Sequence, residues 1–390
     1  MTKIGIDGSR AFSKKRTGTE NYSYQLLKNL AKIDLKNKYL IYLRPSFSKE
    51  LGEEWEEERI DKWPKNFRFK ILDYFRLWTQ FGLALQTFKD LMDVLFVPAH
   101  TTPLIHKPGL KTVITVHDLG SEYLPKTHQL KQRLYLSFMQ QYQLKKATKI
   151  IAVSKATKED LIRKLGIEEK KIEVVYEGFN SDLYKPLKND QLIPILNRYV
   201  IENSNYFLFV GTVQPRKNLA RIITSFAKVI HQYTKNPPVN KSRLGQSPDL
   251  VIVGSKGWLS EEIYALPGKL GVEDKVKFLG YVPDEDMPGL YSGAKALIFP
   301  SLFEGFGLPI LEAQACGCPV ITSNLSSMAE IAGSSALLVD PYSTDDIVEG
   351  IDKISNQETR SKIIKAGFEN IKRFSWEKCA RETLKVLEAV

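Results

Sequence analysis

Residues Ala296–Glu312 read ALIFPSLFEGFGLPILE. The apolar run Ala296–Phe299 predicts a buried parallel strand. Gly305 and Gly307 mark a turn, and Pro309 falls where a first helical turn tolerates a missing N–H. Strand, glycine turn and helix start follow one another directly. Backbone N–H groups and the helix dipole converge at such a junction, which suits an anion or a hydroxyl-rich ligand. Glu304 lies in the turn and Glu312 about one turn into the helix. Both carboxylates are placed to face the carboxyl end of the strand, where open α/β sheets bind ligands. Taken alone, the string is equally a strand–turn–helix with solvated glutamates.

The rest of the chain repeats this rhythm. Short apolar runs predict strands over Lys3–Asp7, Tyr39–Arg44, Val94–Pro98, Thr112–His117, Lys149–Ser154 and Ile172–Tyr176. A second series covers Tyr206–Gly211, Leu250–Gly254, Val276–Gly280, Ala296–Pro300, Pro319–Thr322 and Ala336–Val339. Amphipathic stretches between them, such as Thr19–Ala31, Leu77–Phe88, Gln129–Lys146 and Lys155–Leu165, predict crossover helices. The expected class is α/β, with two doubly wound parallel-sheet domains. Their expected bounds are residues 1–185 and 205–374, with a proline- and charge-rich linker at 186–204 and a terminal amphipathic helix at 375–390. The stretch Tyr233–Asp249 reads as a polar loop.

A chain of 390 residues is long enough for two cores. No apolar run approaches the roughly 18 residues of a membrane span. The N-terminus enters a strand directly, without the apolar core of a signal peptide. Cys316, Cys318 and Cys379 are too few for a disulfide framework, and buried reduced thiols fit them better than metal ligation. Cytoplasmic residence is the expectation. Residues 1–190 hold 34 Lys and Arg against 23 Asp and Glu, and residues 191–390 hold 22 of each, so the first half carries the whole net charge of +11. That excess suggests an anionic partner such as lipid, a phosphorylated acceptor or nucleic acid. The segment Phe67–Phe88 mixes Phe69, Tyr74, Trp78 and Phe81 with Arg68, Lys70 and Arg76. Such a stretch can lie on a membrane surface; burial of one helix face in the core is the plainer reading. The acidic run Glu53–Glu58 is expected as solvated surface.

Several other positions have the residue types for chemistry. Gly18 opens a predicted helix after the basic run Lys14-Lys15-Arg16, a setting for a phosphate or a plain loop. His117 ends a predicted strand, where a titratable imidazole meets ligands. Arg216 and Lys217 stand at a strand-to-helix turn, where a planar fork and a mobile point charge neutralise a diphosphate. Gly254 ends a further strand, followed by Ser255 and Lys256. Asp284-Glu285-Asp286 looks like a metal-binding triplet, but it opens a helix and is better explained by capping.

The ordered set TGTENY, TVHDLG, IIAVSKATKEDL, GTVQPRKN, EGFGLPILEA and FSWEK resembles the retaining family 4 glycosyltransferases of the GT-B kind. The resemblance spans nearly the whole chain. It implies two Rossmann-like domains facing a central cleft, the first binding acceptor and the second a nucleotide sugar, with the final helix crossing back to the first. It implies that Arg216 and Lys217 hold the donor pyrophosphate and that Glu312 takes the ribose hydroxyls. Glu304 would take donor-sugar hydroxyls, and the N–H groups of Phe306, Gly307 and Leu308 would bind sugar or phosphate. His117 would lie against the donor sugar, and Gly18 and Gly254 would face the donor. His100 and His106 are candidate acceptor contacts, and residues Asn324–Glu330 lie near the nucleotide. His117, Glu304, Arg216 and Lys217 form the expected catalytic set, with neither metal nor other cofactor.

The expected reaction moves a hexose with retention from a nucleotide diphosphate sugar to a hydroxyl of a glycan or lipid-linked oligosaccharide. This would serve cell-surface polysaccharide synthesis. The resemblance is closest to bacterial polysaccharide mannosyltransferases, which favours GDP-mannose over UDP-glucose or UDP-N-acetylglucosamine. A peripheral contact with the inner face of an anionic membrane is expected, and no nucleic acid, since the usual RNA-binding signatures are lacking. A nucleotide-sugar epimerase of the same fold is the alternative enzyme.

Overall fold

The computed structural model describes residues 1–12, 18–44, 62–74, 77–99, 101–119, 141–201, 204–235 and 247–390. Lys14-Lys15-Arg16, the acidic run Glu53–Glu58, His100 and most of Gln129–Lys146 and Tyr233–Asp249 lie outside them. The chain divides into two compact units, Met1–Gly178 with Ser375–Val390, and Phe179–Phe374.

The first unit is built on seven parallel strands: β1 (Lys3–Asp7), β2 (Lys38–Leu43), β3 (Phe67–Ile71), β4 (Val94–Val97), β5 (Lys111–Val116), β6 (Lys149–Ala152) and β7 (Ile172–Val174). Their order is β3-β2-β1-β4-β5-β6-β7. Central strands are apolar on both faces because helices cover both, as parallel sheets require; Ile4, Ile6, Leu95, Phe96 and Ile150 are fully buried. The order reverses between β1 and β4, so a crevice opens at their carboxyl ends. Ser154 caps the helix Lys155–Leu165 by accepting from the Thr157 N–H, and Gly166 ends it in the left-handed region. Ser375 starts the terminal helix Trp376–Glu388 in the same way, and this helix packs on Gly18–Ile33. Gly178 leaves no room for a side chain, since a Cβ there would lie 2.1 Å from the Trp376 nitrogen.

The second unit has six parallel strands: β8 (Tyr206–Val210), β9 (Asp249–Val253), β10 (Val276–Gly280), β11 (Ala296–Phe299), β12 (Val320–Ser323) and β13 (Leu337–Val339). Their order is β10-β9-β8-β11-β12-β13. Leu208 pairs with Val251 on one side and Leu297 on the other. Chain order again reverses at the centre of the sheet, between β8 and β11. The two expected doubly wound α/β domains are therefore present.

Three local expectations need correction. β3 was expected as part of an amphipathic helical stretch. Its FRFKI alternation of apolar and basic residues is that of an edge strand with one wet face. Residues 186–204, expected as a linker, contain the helix Asn189–Arg198, and they belong to the second unit. Leu192 and Leu196 are buried on that helix despite Pro194 within it. Asp286 stands at the start of the helix Met287–Gly293, but its side chain makes no cap bond. Its carboxylate instead takes Arg198 Nη1 at 2.6 Å and the Tyr199 hydroxyl at 2.6 Å. A charge-assisted hydrogen bond from a guanidinium outcompetes a neutral N–H as partner. Among the described residues no helix is long and apolar enough to cross a membrane.

Candidate active site

Arg216 and Lys217 follow β8, and Glu304 follows β11, so the chain reversal brings them face to face. Lys217 Nζ lies 2.6 Å from Glu304 Oε1, and Arg216 Nη1 lies 3.1 Å from Oε2. Arg216 Nη1 also donates to the Phe303 carbonyl at 2.7 Å. All three side chains are largely shielded from water. Burial alone would raise the Glu304 pKa; the Lys217 and Arg216 charges outweigh it and hold the carboxyl below its ordinary value. Two cations facing one carboxylate leave a local excess of positive charge.

Backbone geometry fixes this cluster. Asn218 takes the left-handed conformation, φ 64°, directly after the Arg-Lys pair. Its Nδ2 donates to the Pro300 and Pro341 carbonyls at 2.9 and 2.7 Å, which ties the turn to the end of β11. The Leu302 N–H donates to the Arg216 carbonyl at 3.0 Å. Ser326 and Ser327 hydroxyls donate to the Glu304 carbonyl at 3.0 and 2.8 Å. The region Asn324–Glu330 therefore contributes a brace for the Glu304 loop. The role of Asn218 was not singled out from sequence, and Asn324–Glu330 was singled out for the nucleotide rather than as a brace.

Phe306, Gly307 and Leu308 follow Glu304. Gly307 has φ 103° and begins the helix Leu308–Ala315, with Pro309 in its first turn. The positive end of that helix dipole falls here. Glu312, one turn in, accepts from the Tyr291 hydroxyl at 2.8 Å. Its pKa is pushed up to about 7, mainly by burial, while the Tyr291 and Tyr184 hydroxyls oppose the rise and the Asp284 charge adds to it. Gly254 has φ 145°, and a Cβ on it would lie 2.0 Å from the Gly211 carbonyl oxygen. This glycine lets the ends of β8 and β9 meet, a packing requirement that the expected donor contact did not include. Lys256 pairs with Glu261 at 3.0 Å on the surface.

His117 and Gly18 belong to the first unit. Gly18 is an exposed first residue of its helix. His117 Nδ1 lies 3.1 Å from Glu177 Oε1, and Nε2 lies 2.9 Å from the Pro98 carbonyl. Both partners are acceptors, so meeting both requires a proton on each nitrogen, the imidazolium form. Burial opposes that charge, but the Glu177 hydrogen bond and charge prevail and raise the pKa above the ordinary value. The Tyr22 ring stands edge-on at 4.6 Å. Glu177 was missed because it is 60 residues from His117. His106 contacts only the Lys107 carbonyl, at 3.2 Å, in the hydrogen bonds of the described residues.

Residues 16–183 match the family described as Glycosyltransferase Family 4, and residues 195–370 match Glycosyl transferases group 1. O-antigen chain mannosyltransferase B of Escherichia coli is 31% identical over 70% of this chain and 69% of its own. The chain belongs to the family 4 glycosyltransferases. The O-antigen chain mannosyltransferase RfbU of Salmonella typhimurium is 29% identical over the same shares of the two chains. Among solved structures, Anabaena HepE, crystallised with UDP and glucose, superposes with a TM-score of 0.73 over 100% of both chains at 19% identity. WaaG, a glycosyltransferase involved in lipopolysaccharide biosynthesis, superposes with a TM-score of 0.71 over 98% of this chain and 99% of its own at 16% identity. These likenesses show a shared GT-B fold.

A pH effect on stability of the glycosyltransferase follows from Glu312. Its folded pKa of about 7 lies above the ordinary 4.5. The folded state therefore binds the proton more tightly. This contribution is fully present below pH 4.5, declines as pH rises and is gone above about 7. It amounts to about 3 kcal/mol. The expected result is that Glu312→Gln gains on wild type in urea midpoint as pH goes from acid to neutral. An equal difference at both pH values would refute the shift.

Proposed function

We propose that this glycosyltransferase moves a mannosyl residue from GDP-mannose, with retention, to a hydroxyl of a lipid-linked glycan in cell-surface polysaccharide synthesis. The observation that carries the reading is the Arg216–Glu304–Lys217 cluster at the chain reversal of the second sheet. A nucleoside diphosphate leaving group gains charge as the glycosidic bond breaks. The two cations and the dipole of Leu308–Ala315 stabilise that charge electrostatically. The acceptor oxygen attacks the face from which the diphosphate departs, and its proton passes to the departing phosphate oxygen. Glu304 takes hydroxyls of the donor sugar, and Glu312 takes the ribose. Gly254 supports the loop from behind. His117, in the first unit, would exchange one of its two present acceptors for a substrate hydroxyl oxygen.

The names of the two O-antigen relatives favour mannose. The HepE complex with UDP and glucose makes a uridine nucleotide the second reading. Catalysis without a metal is part of the proposal, and Asp286 in the acidic triplet is committed to Arg198 and Tyr199. A cytoplasmic site beside the inner membrane face fits a lipid-linked acceptor.

Calorimetry with GDP and UDP tests the donor. GDP is expected to bind more tightly, and Arg216→Ala/Lys217→Ala to weaken it about 10²-fold or more. UDP binding alone would discard mannose. Binding of neither by folded protein would sink the whole reading. Product with inverted anomeric configuration would exclude retention, loss of turnover with a chelator would exclude metal independence, and donor isomerised without acceptor would indicate an epimerase.

A further inference from the structure

Three strand ends of the first unit meet at one imidazole. His117 follows β5, Pro98 follows β4 and Glu177 lies just beyond β7. The His117 side chain is 16% exposed and that of Glu177 6%. Among the described residues His117 is the only group with which Glu177 makes an ion pair or a side-chain hydrogen bond. The surroundings fix both partners. The Tyr22 ring stands edge-on to the imidazole, with its hydroxyl 3.2 Å from Thr115 Oγ1. The Thr157 hydroxyl donates to the His117 carbonyl at 3.4 Å. Gly178, next to Glu177, lies directly against the Trp376 backbone, so the terminal helix holds the Glu177 loop in place. The ring is thereby presented in one orientation, Nδ1 to Glu177 and Nε2 to the Pro98 carbonyl.

The two bonds of the imidazole are unequal. One joins a cation to a buried carboxylate, the other joins it to a neutral carbonyl. Breaking the first would strand the carboxylate without a partner, so the second is released at less cost. The other titratable neighbours do not compete for the ring. Asp118, next in the chain, adds negative charge that favours the imidazolium. The Tyr22 hydroxyl and the Cys379 thiol face Glu177; burial, and after it neighbouring negative charge, raises both above their ordinary values and keeps them neutral. We propose that Glu177 is a positioning residue for the transfer: it clamps Nδ1–H of His117, so that Nε2–H, now on the Pro98 carbonyl, is the donor that a substrate hydroxyl oxygen takes over. The contact between His117 and substrate comes from the proposed function, on which this role of Glu177 rests. The clamp also fixes the sign of the pH dependence. A neutral ring held at Nδ1–H has only a lone pair at Nε2 and cannot donate there. Activity should therefore fall as His117 loses its proton, whereas a His117 acting as a base would give the opposite slope.

Glu177→Gln keeps the shape and an accepting oxygen but removes the charge. Two measurements on the full chain make the test. Imidazole nitrogen NMR, with His117→Gln to assign the signals, follows the His117 titration directly. The wild-type ring should stay protonated above the ordinary midpoint of about 6.5, and in Glu177→Gln the midpoint should fall by about one pH unit or more. The alkaline limb of kcat/KM should follow the same two midpoints, so that above both of them Glu177→Gln loses about tenfold. Glu177→Asp, which keeps the charge on a shorter arm, should restore most of the wild-type limb. Loss of a merely structural contact would lower the rate without moving the limb. Coincident NMR titrations of wild type and Glu177→Gln would overturn the proposal. So would a limb that ignores the substitution, or a wild-type rate that rises through the His117 titration. Failure of the proposed function has another signature: folded wild type transfers no sugar from either nucleotide, while Glu177→Gln still separates the NMR midpoints and the pairing stands.

Discussion

Lys217→Ala is expected to lower kcat about 10²–10³-fold, the usual cost of removing one preorganised group from a developing negative charge. Lys217 Nζ sits 2.6 Å from Glu304 Oε1 and 5.3 Å from the centroid of the Phe299 ring. The ammonium is therefore held before any substrate arrives. Removing it leaves Arg216, 3.1 Å from Glu304, and lowers the positive excess that faces the leaving diphosphate of the proposed reaction. The charge on that group grows toward the transition state, so KM should change less than kcat. Lys217→Arg should rescue poorly, because a planar fork does not replace a compact ammonium in a site that is 12% exposed. Steady-state kinetics with each variant, beside a melting curve to confirm folding, makes the measurement. A kcat within a factor of about three of wild type would remove Lys217 from the mechanism.

Gly254→Ala is expected to destabilise the second unit by about 3–5 kcal/mol, from overpacking and backbone strain together. The new Cβ would meet the Gly211 carbonyl oxygen at 2.0 Å, the Gly211 carbonyl carbon at 2.5 Å and the Thr212 nitrogen at 3.2 Å. All three are backbone atoms, so no rotamer change relieves the clash. The backbone also has φ 145°, a region that side-chain-bearing residues rarely enter. The Gly211 N–H donates to the Val253 carbonyl, which joins the same two strand ends, and the Gly254 N–H donates to the Gly280 carbonyl at the end of β10. Displacing Gly211 would move the loop that carries Arg216 and Lys217, so activity should fall with stability. Gly268→Ala is the control, because a Cβ there meets nothing within 4 Å. It should leave Tm unchanged or raise it slightly. Equal melting temperatures for Gly254→Ala and wild type would refute the packing argument.

The sequence by itself determined the features that depend on near neighbours. Short apolar runs marked twelve of the strands, because a strand buried on both faces, as most of these are, needs no partner to be legible. The Glu304–Glu312 segment was readable because a glycine turn and a Pro in the first helical turn are local requirements. Local rules failed where a wet edge or a proline disguised the element, as at β3 and at Asn189–Arg198. Tertiary structure alone decided the partners. Asn218 reaches carbonyls 82 and 123 residues away, Asp286 is claimed by Arg198 at a distance of 88 residues, and Glu304 meets Lys217 at a distance of 87. It also decided that Gly254 is a contact between backbones and that Leu77, Phe81, Leu85 and Phe88 face water. Hydrogen bonds and ion pairs act over a few ångströms in space and carry no mark in the sequence order. Which charges neutralise one another, and which pKa values move, therefore becomes visible only when the sheet brings its strand ends together.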